Sequence, residues 1–225
     1  MRLTLAGLVL GALSVLPSFA EELPRWTPSH CLEYGDVAPA DGDAAEALWN
    51  EAYRDGFGAV QRGEYDVAEH QMCRALIAAR DFDARDWRFA ETLDELGLIA
   101  FQLRDFELAE RMQGAAIGEM LLAAGPHGEP LAGLESSDHA VIRPDCASGI
   151  RVYTDRMNLI HERVPGRIAT QAIREEPWSI FSAGYIPFDA GLASRLDWLI
   201  SQYLLEENLG AADTLAALQN EILGQ

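Results

Sequence analysis

Gly63-Glu64-Tyr65-Asp66-Val67-Ala68-Glu69 returns 41 residues later as Arg104-Asp105-Phe106-Glu107-Leu108-Ala109-Glu110. Each copy places an aromatic residue just after a turn signal and an Ala-Glu pair three residues further on. Upstream, Ala52 and Gly56 match Leu93 and Gly97; downstream, small residues follow in both copies, at Ala75-Leu76 and Ala115-Ala116. Self-similarity at a fixed period means one supersecondary unit used twice, neither copy burying its apolar stripe alone.

The unit is a helix pair. Asp43-Ala-Ala-Glu46 has the Asp-x-x-Glu pattern of a capped helix start. From there to Ala124 the chain is rich in Ala and Leu and has no proline. Breaks at Arg62-Gly63, Asp81-Phe-Asp-Ala-Arg-Asp86 and Arg104-Asp105 predict four helices, over about 44–61, 65–80, 85–103 and 105–123. A generic four-helix up-down bundle has the same periodicity.

With these residues in register, the stretch from about 49 to 131 resembles the tetratricopeptide repeat (TPR). The period exceeds the family's usual length and looks more like the lengthened repeats of kinesin-light-chain type. Gly125-Pro126-His127-Gly128-Glu129-Pro130 is similar to their linker, with one extra residue before the second proline. The resemblance implies a mostly α fold: antiparallel helix pairs of a short TPR-like solenoid, closed by C-terminal capping helices. It also implies that the first helix of each pair lines a groove. The groove positions would be Asn50, Tyr53, Arg54, Phe57 and Gln61 in the first repeat, and Glu91, Asp94, Glu95, Leu98 and Gln102 in the second.

Outward from the repeats the pattern changes. Residues 1–20 read as a cleaved signal peptide: Met1-Arg2, an apolar run from Leu3 to Leu16 too short to span a bilayer, and small residues at Ser18 and Ala20. Residues 21–42 form an extended N-terminal segment and 43–130 the two repeats. Residues 131–188 are irregular apart from one helix, marked by Ile150, Tyr153, Met157, Ile160 and Val164; residues 131–148 read as a loop. Residues 189–225 hold two further helices, about 189–207 and 211–223, expected to cap the array.

Charge and missing residues exclude several functions. The formal net charge of −19 repels nucleic acid and anionic membranes. No lysine is present, which excludes a Walker A loop and Schiff-base chemistry. His30, His70, His127, His139 and His161 form no metal motif, and the Asp81–Asp86 run fails the EF-hand pattern at its glycine and terminal glutamate. No nucleophile elbow is found. Of three cysteines, Cys31 and Cys146 lie in irregular segments and are the expected disulfide, with Cys73 a buried apolar residue in a helix.

The reading is an exported, periplasmic binding or scaffolding protein, not an enzyme, with no cofactor and no metal. It engages a protein or peptide, preferably neutral or basic, and does not bind nucleic acid or, after signal cleavage, membrane. The alternatives are an enzyme of unfamiliar type with its site in residues 131–188, where Cys146, His139 and His161 would be the groups to watch, or a helper subunit of one obligate complex.

Overall fold

Helices dominate because nothing in the central sequence competes with them: Ala, Leu, Glu and Arg have high helix propensity, and the breakers fall between elements. The computed structural model describes residues 25–37, 42–83, 85–124, 146–163, 179–182, 185 and 189–224. The signal peptide expected for 1–20, the linker at 125–130 and the loop at 131–145 lie outside these residues. After a 3-10 turn at Cys31–Val37 come α1 (Gly42–Arg62), α2 (Tyr65–Ala79), α3 (Arg88–Gln102), α4 (Phe106–Ala124), α5 (Cys146–His161), the short α6 (Ser179–Ser182), α7 (Ala190–Leu205) and α8 (Leu209–Leu223). The protein is mostly α, with its helices in contacting antiparallel pairs: α1 packs with α2, α3 with α4, and α7 with α8; α2 also meets α3, and α4 meets α5. Among the described residues no helix is long and apolar enough to cross a membrane.

The two copies share their turn geometry as well as their sequence. Gly63 has φ +72°, and the Glu64 N–H donates back to the Ala59 carbonyl at 3.0 Å. In the second copy Arg104 has φ +69°, and the Asp105 N–H donates to the Ala100 carbonyl at 2.9 Å. Both turns are left-handed C-terminal caps that satisfy carbonyls the helix leaves over. The α7–α8 turn uses the same device: Glu207 has φ +59° and the Asn208 N–H reaches the Tyr203 carbonyl at 2.8 Å. Asp105 and Asn208 then cap the following helices, accepting from the Leu108 and Ala211 N–H groups.

Close approach within each pair is set by glycine. A Cβ on Gly56 would stand 3.1 Å from Met72 Cγ, and one on Gly97 would stand 3.1 Å from Gln113 Oε1. The core centres on α2 and α4. From Ala109 to Ala123 every residue of α4 except Arg111 is buried, with Met112, Ile117 and Met120 fully enclosed. Each such side chain contributes roughly 1.5–3 kcal/mol through burial. The Tyr185 ring lies against Gly114, where an added Cβ would come within 2.4 Å of it.

Three features correct the sequence reading. The disulfide joins Cys31 to Cys73, not to Cys146. Cys73 lies on the face of α2 that meets the 3-10 turn carrying Cys31, so its burial is the burial of a bridge. Second, α5 begins at Cys146, inside the segment expected to be a loop. Pro144-Asp145 ahead of it is a helix-start signal that the apolar stripe from Ile150 does not include. Third, Tyr53, Asp94 and Glu95, expected on an open face, are buried.

Buried arginines tie the N-terminal segment and α7 to α4. Glu119 on α4 accepts from Arg195 Nη1 on α7 at 2.5 Å and lies 3.8 Å from Arg25 Nε in the N-terminal segment. Arg25 also donates to the Asp83 carbonyl at 2.5 Å. Burial lowers the Arg25 pKa, with Glu119 pulling the other way. Outside the core, Leu204, Leu205 and Leu209 are exposed around the α7–α8 turn.

Candidate functional site

Trp49, Tyr53 and Phe57 recur every four residues and so share one stripe of α1. Trp49 and Tyr53 stack at 4.8 Å between ring centroids, and Tyr53 and Phe57 lie nearly parallel at 6.5 Å. Burial falls along this ladder: Trp49 and Tyr53 are buried, while Phe57 is 43% exposed. The inner rings are held from α3. Trp49 Nε1 donates to Thr92 Oγ1 at 3.0 Å, and the Tyr53 hydroxyl donates to Glu91 Oε1 at 3.1 Å. Around Phe57, Arg54 and Gln61 are exposed; Arg54 Nε is 3.5 Å from Asp55. Asn50 is half-buried, and its side-chain oxygen is buried without a hydrogen bond.

The equivalent face of α3 is met by side chains of α5, which packs chiefly on α4. Tyr153 donates to Glu91 Oε2 at 2.7 Å, so one carboxylate lies between two phenols. Arg156 Nη1 contacts Asp94 and lies 3.2 Å from Glu95 Oε1. From α4, Gln113 Nε2 donates to Asp94 Oδ1 at 2.5 Å. Glu95 Oε2 and Gln113 Oε1 are buried with no hydrogen-bond partner among the described residues. Two carboxyl groups, Asp94 and Glu95, thus share one guanidinium, with Glu91 beside them on the same helix. Burial pushes the Asp94 carboxyl well above its ordinary range, and the neighbouring Glu91 and Glu95 push the same way against Arg156. Glu95 is raised for the same reasons. Burial, with Glu91 next in effect, also raises the Tyr53 and Tyr153 hydroxyls. Further along α5, His161 Nε2 lies 2.8 Å from Glu110 Oε1 on α4, which also accepts from the Tyr185 hydroxyl at 3.2 Å.

The positions expected to line one groove therefore divide. Arg54, Phe57, Gln61 and Gln102 are exposed; Asn50, Glu91 and Leu98 are half-buried; Tyr53, Asp94 and Glu95 are buried. Sequence reasoning missed Thr92, Gln113, Tyr153 and Arg156. Tyr153 was visible on the apolar stripe of α5, but nothing local marks Arg156, whose acidic partners lie 61 and 62 residues away.

Chemically, the α1 face offers a half-exposed aromatic ring, a guanidinium and an amide, which suits contact with another chain. The α3 cluster is already internally paired. Comparison with known protein families, with curated proteins and with solved structures finds no match, so the reading of this site rests on its own geometry.

Proposed function

We propose that this chain is an exported, TPR-like binding module whose first helix pair presents Arg54, Phe57 and Gln61, with Asn50 beneath them, to an extended neutral or basic segment of a partner protein. The observation that carries the reading is the ladder Trp49–Tyr53–Phe57, buried at one end and 43% exposed at the other. A ring fixed from behind loses little entropy on binding and brings a large contact area. The 41-residue register and the matched left-handed turns at Gly63 and Arg104 support the repeat assignment.

Charge argues for the partner's character. At −19, the chain slows approach of another acidic protein and favours a basic one, with an on-rate that falls as salt is added.

The test uses a photo-activated cross-linker at position 57 in the exported protein, with the same group at exposed Asp213 on α8 as control. Cross-links from 57 alone to a defined segment of a partner support the site. The affinity of that segment should then fall at least tenfold, about 1.4 kcal/mol, in Arg54→Ala/Phe57→Ala. Equal cross-linking from both positions, or unchanged affinity in the double variant, rejects it.

A further inference from the structure

The Cys31–Cys73 bridge has a third potential ligand beside it. A ring nitrogen of His30 and the two sulfurs all lie within 4.8 Å of one another. Both cysteines are fully buried, whereas the His30 side chain is about one-third exposed, so His30 is the member of the group that meets solvent. His30 Nε2 itself is buried and makes no hydrogen bond among the described residues; Glu69 Oε1 lies 3.5 Å from it. A buried imidazole nitrogen without a partner is unsatisfied in the oxidised protein.

Two thiolates and an imidazole are the donors that bind zinc; with Nδ1 on the cation, Nε2–H would face Glu69, and a carboxylate at the nitrogen that does not bind the metal is the usual orienting neighbour. The two cysteines come from elements already held together, Cys31 from the 3-10 turn and Cys73 from α2, and His30 immediately precedes that turn. In a tetrahedral site three protein ligands leave one position for water.

We infer that His30, Cys31 and Cys73 form a thiolate–imidazole site for a zinc-like divalent cation, closed by the disulfide and opened by its reduction. A dithiol reductant, either a small molecule or a thiol–disulfide oxidoreductase, gives two electrons and two protons. The S–S bond breaks, two thiols form, and the reductant leaves as its own disulfide. Metal binding then releases the two thiol protons and joins both thiolates and the His30 ring to one cation. Bridge and cation hold the same two elements together, so exchanging one for the other keeps the 3-10 turn on α2.

The test uses the full chain in a Cys146→Ser background, so that only Cys31 and Cys73 supply sulfur. The protein is reduced with a phosphine and titrated anaerobically with Co(II), then with Zn(II). One equivalent of Co(II) should give thiolate-to-metal charge-transfer absorption with tetrahedral d–d bands, which Zn(II) removes. The oxidised protein should give neither. His30→Ala should weaken Co(II) binding at least tenfold, and Glu69→Gln by less. Far-UV circular dichroism of the reduced, metal-loaded protein should match that of the oxidised form. The inference is overturned if the reduced chain shows no one-to-one spectrum, if His30→Ala binds as tightly as wild type, if the same affinity persists in denaturant, or if metal fails to maintain the helical signal.

Discussion

The two helix pairs α1/α2 and α3/α4 share a repeat, a turn and a close-approach glycine, yet they are finished in different ways. The first is stapled from its α2 side by a covalent bond to the N-terminal segment, and its α1 face keeps Phe57 and Arg54 exposed. The second is finished by α5, which packs mainly on α4 and reaches α3 through Tyr153 and Arg156, and no disulfide reaches it among the described residues. A repeat unit fixes how its two helices meet, not what covers them. In this chain the added elements decide which equivalent surface remains exposed.

Removing the staple should give the largest change. The bridge spans 42 residues, and the chain-entropy estimate for a loop of that size is about 4 kcal/mol, with measured values often lower. Reduction without metal should lower the stability measured by urea unfolding by a comparable amount. Peptide mapping of the unreduced protein should yield the Cys31–Cys73 link. A count of one free thiol fits Cys31–Cys146 equally well, so mapping decides; a Cys31–Cys146 peptide would remove the covalent half of the comparison.

Breaking the second closure should cost about 3 kcal/mol. Arg156→Ala leaves Asp94 and Glu95 buried without their cation, and removing one member of a buried pair typically costs about 3–5 kcal/mol. Arg156 is 29% exposed and the acids can take up protons, which favours the lower end of that range. A change in the urea midpoint no greater than that of a surface substitution would mean that Arg156 does not hold α5 to α3.

The same cluster sets a pH dependence. An acid whose pKa is higher folded than unfolded binds its proton more tightly in the folded state. For Asp94 and Glu95 the stability contribution is therefore fully present below the ordinary carboxylate range and is lost as pH rises through their raised folded values. Stability should increase as pH is lowered from neutral toward the ordinary Glu range. Acidification also relieves the general charge of −19, so the informative measurement is a difference: Asp94→Asn should flatten the profile. A slope identical to wild type would show that Asp94 is already ionised at no cost.

What the sequence made legible was periodic. Ala68 and Ala109, Tyr65 and Phe106, and Gly56 and Gly97 recur at one spacing, and short-range spacing is what fixes the contact between neighbouring helices. Gly97 indeed lies where a side chain would meet Gln113. What stayed illegible was set by approach across long sequence separations. Arg156 has no local signature that points to Asp94, and Cys73 looks like any small residue of a helix until the turn bearing Cys31 lies against it. The third left-handed turn, at Glu207, was hidden because neither a glycine nor the aromatic-Ala-Glu pattern marks it.

The turns sharpen the comparison at about 1 kcal/mol. Gly63 and Arg104 hold the same left-handed conformation, which costs a residue with a Cβ roughly 1–2 kcal/mol. Gly63→Ala should destabilise by about 1 kcal/mol. Arg104→Gly should stabilise by less than that, because the added freedom of the unfolded chain offsets part of the relief. Both effects are read from urea midpoints. If Arg104→Gly destabilises, the two turns are not energetically equivalent, and the shared hydrogen-bond pattern overstates their symmetry.

The smallest stability effect belongs to the face assigned to the partner. Arg54 and Phe57 are exposed; among the described residues Arg54 has only an exposed contact with Asp55, and Phe57 stacks with Tyr53 from one side. Exposed substitutions of this kind usually change stability by no more than about 0.5 kcal/mol. Arg54→Ala/Phe57→Ala should therefore leave the urea midpoint nearly unchanged while weakening partner binding tenfold. A residue kept for the fold would show the opposite pattern, as Arg156→Ala should. If the double variant instead unfolds more easily by 2 kcal/mol or more, Phe57 belongs to the core of the first helix pair. The α1 and α3 faces would then differ only in which part of the chain covers them, and neither would be the open surface that binding requires.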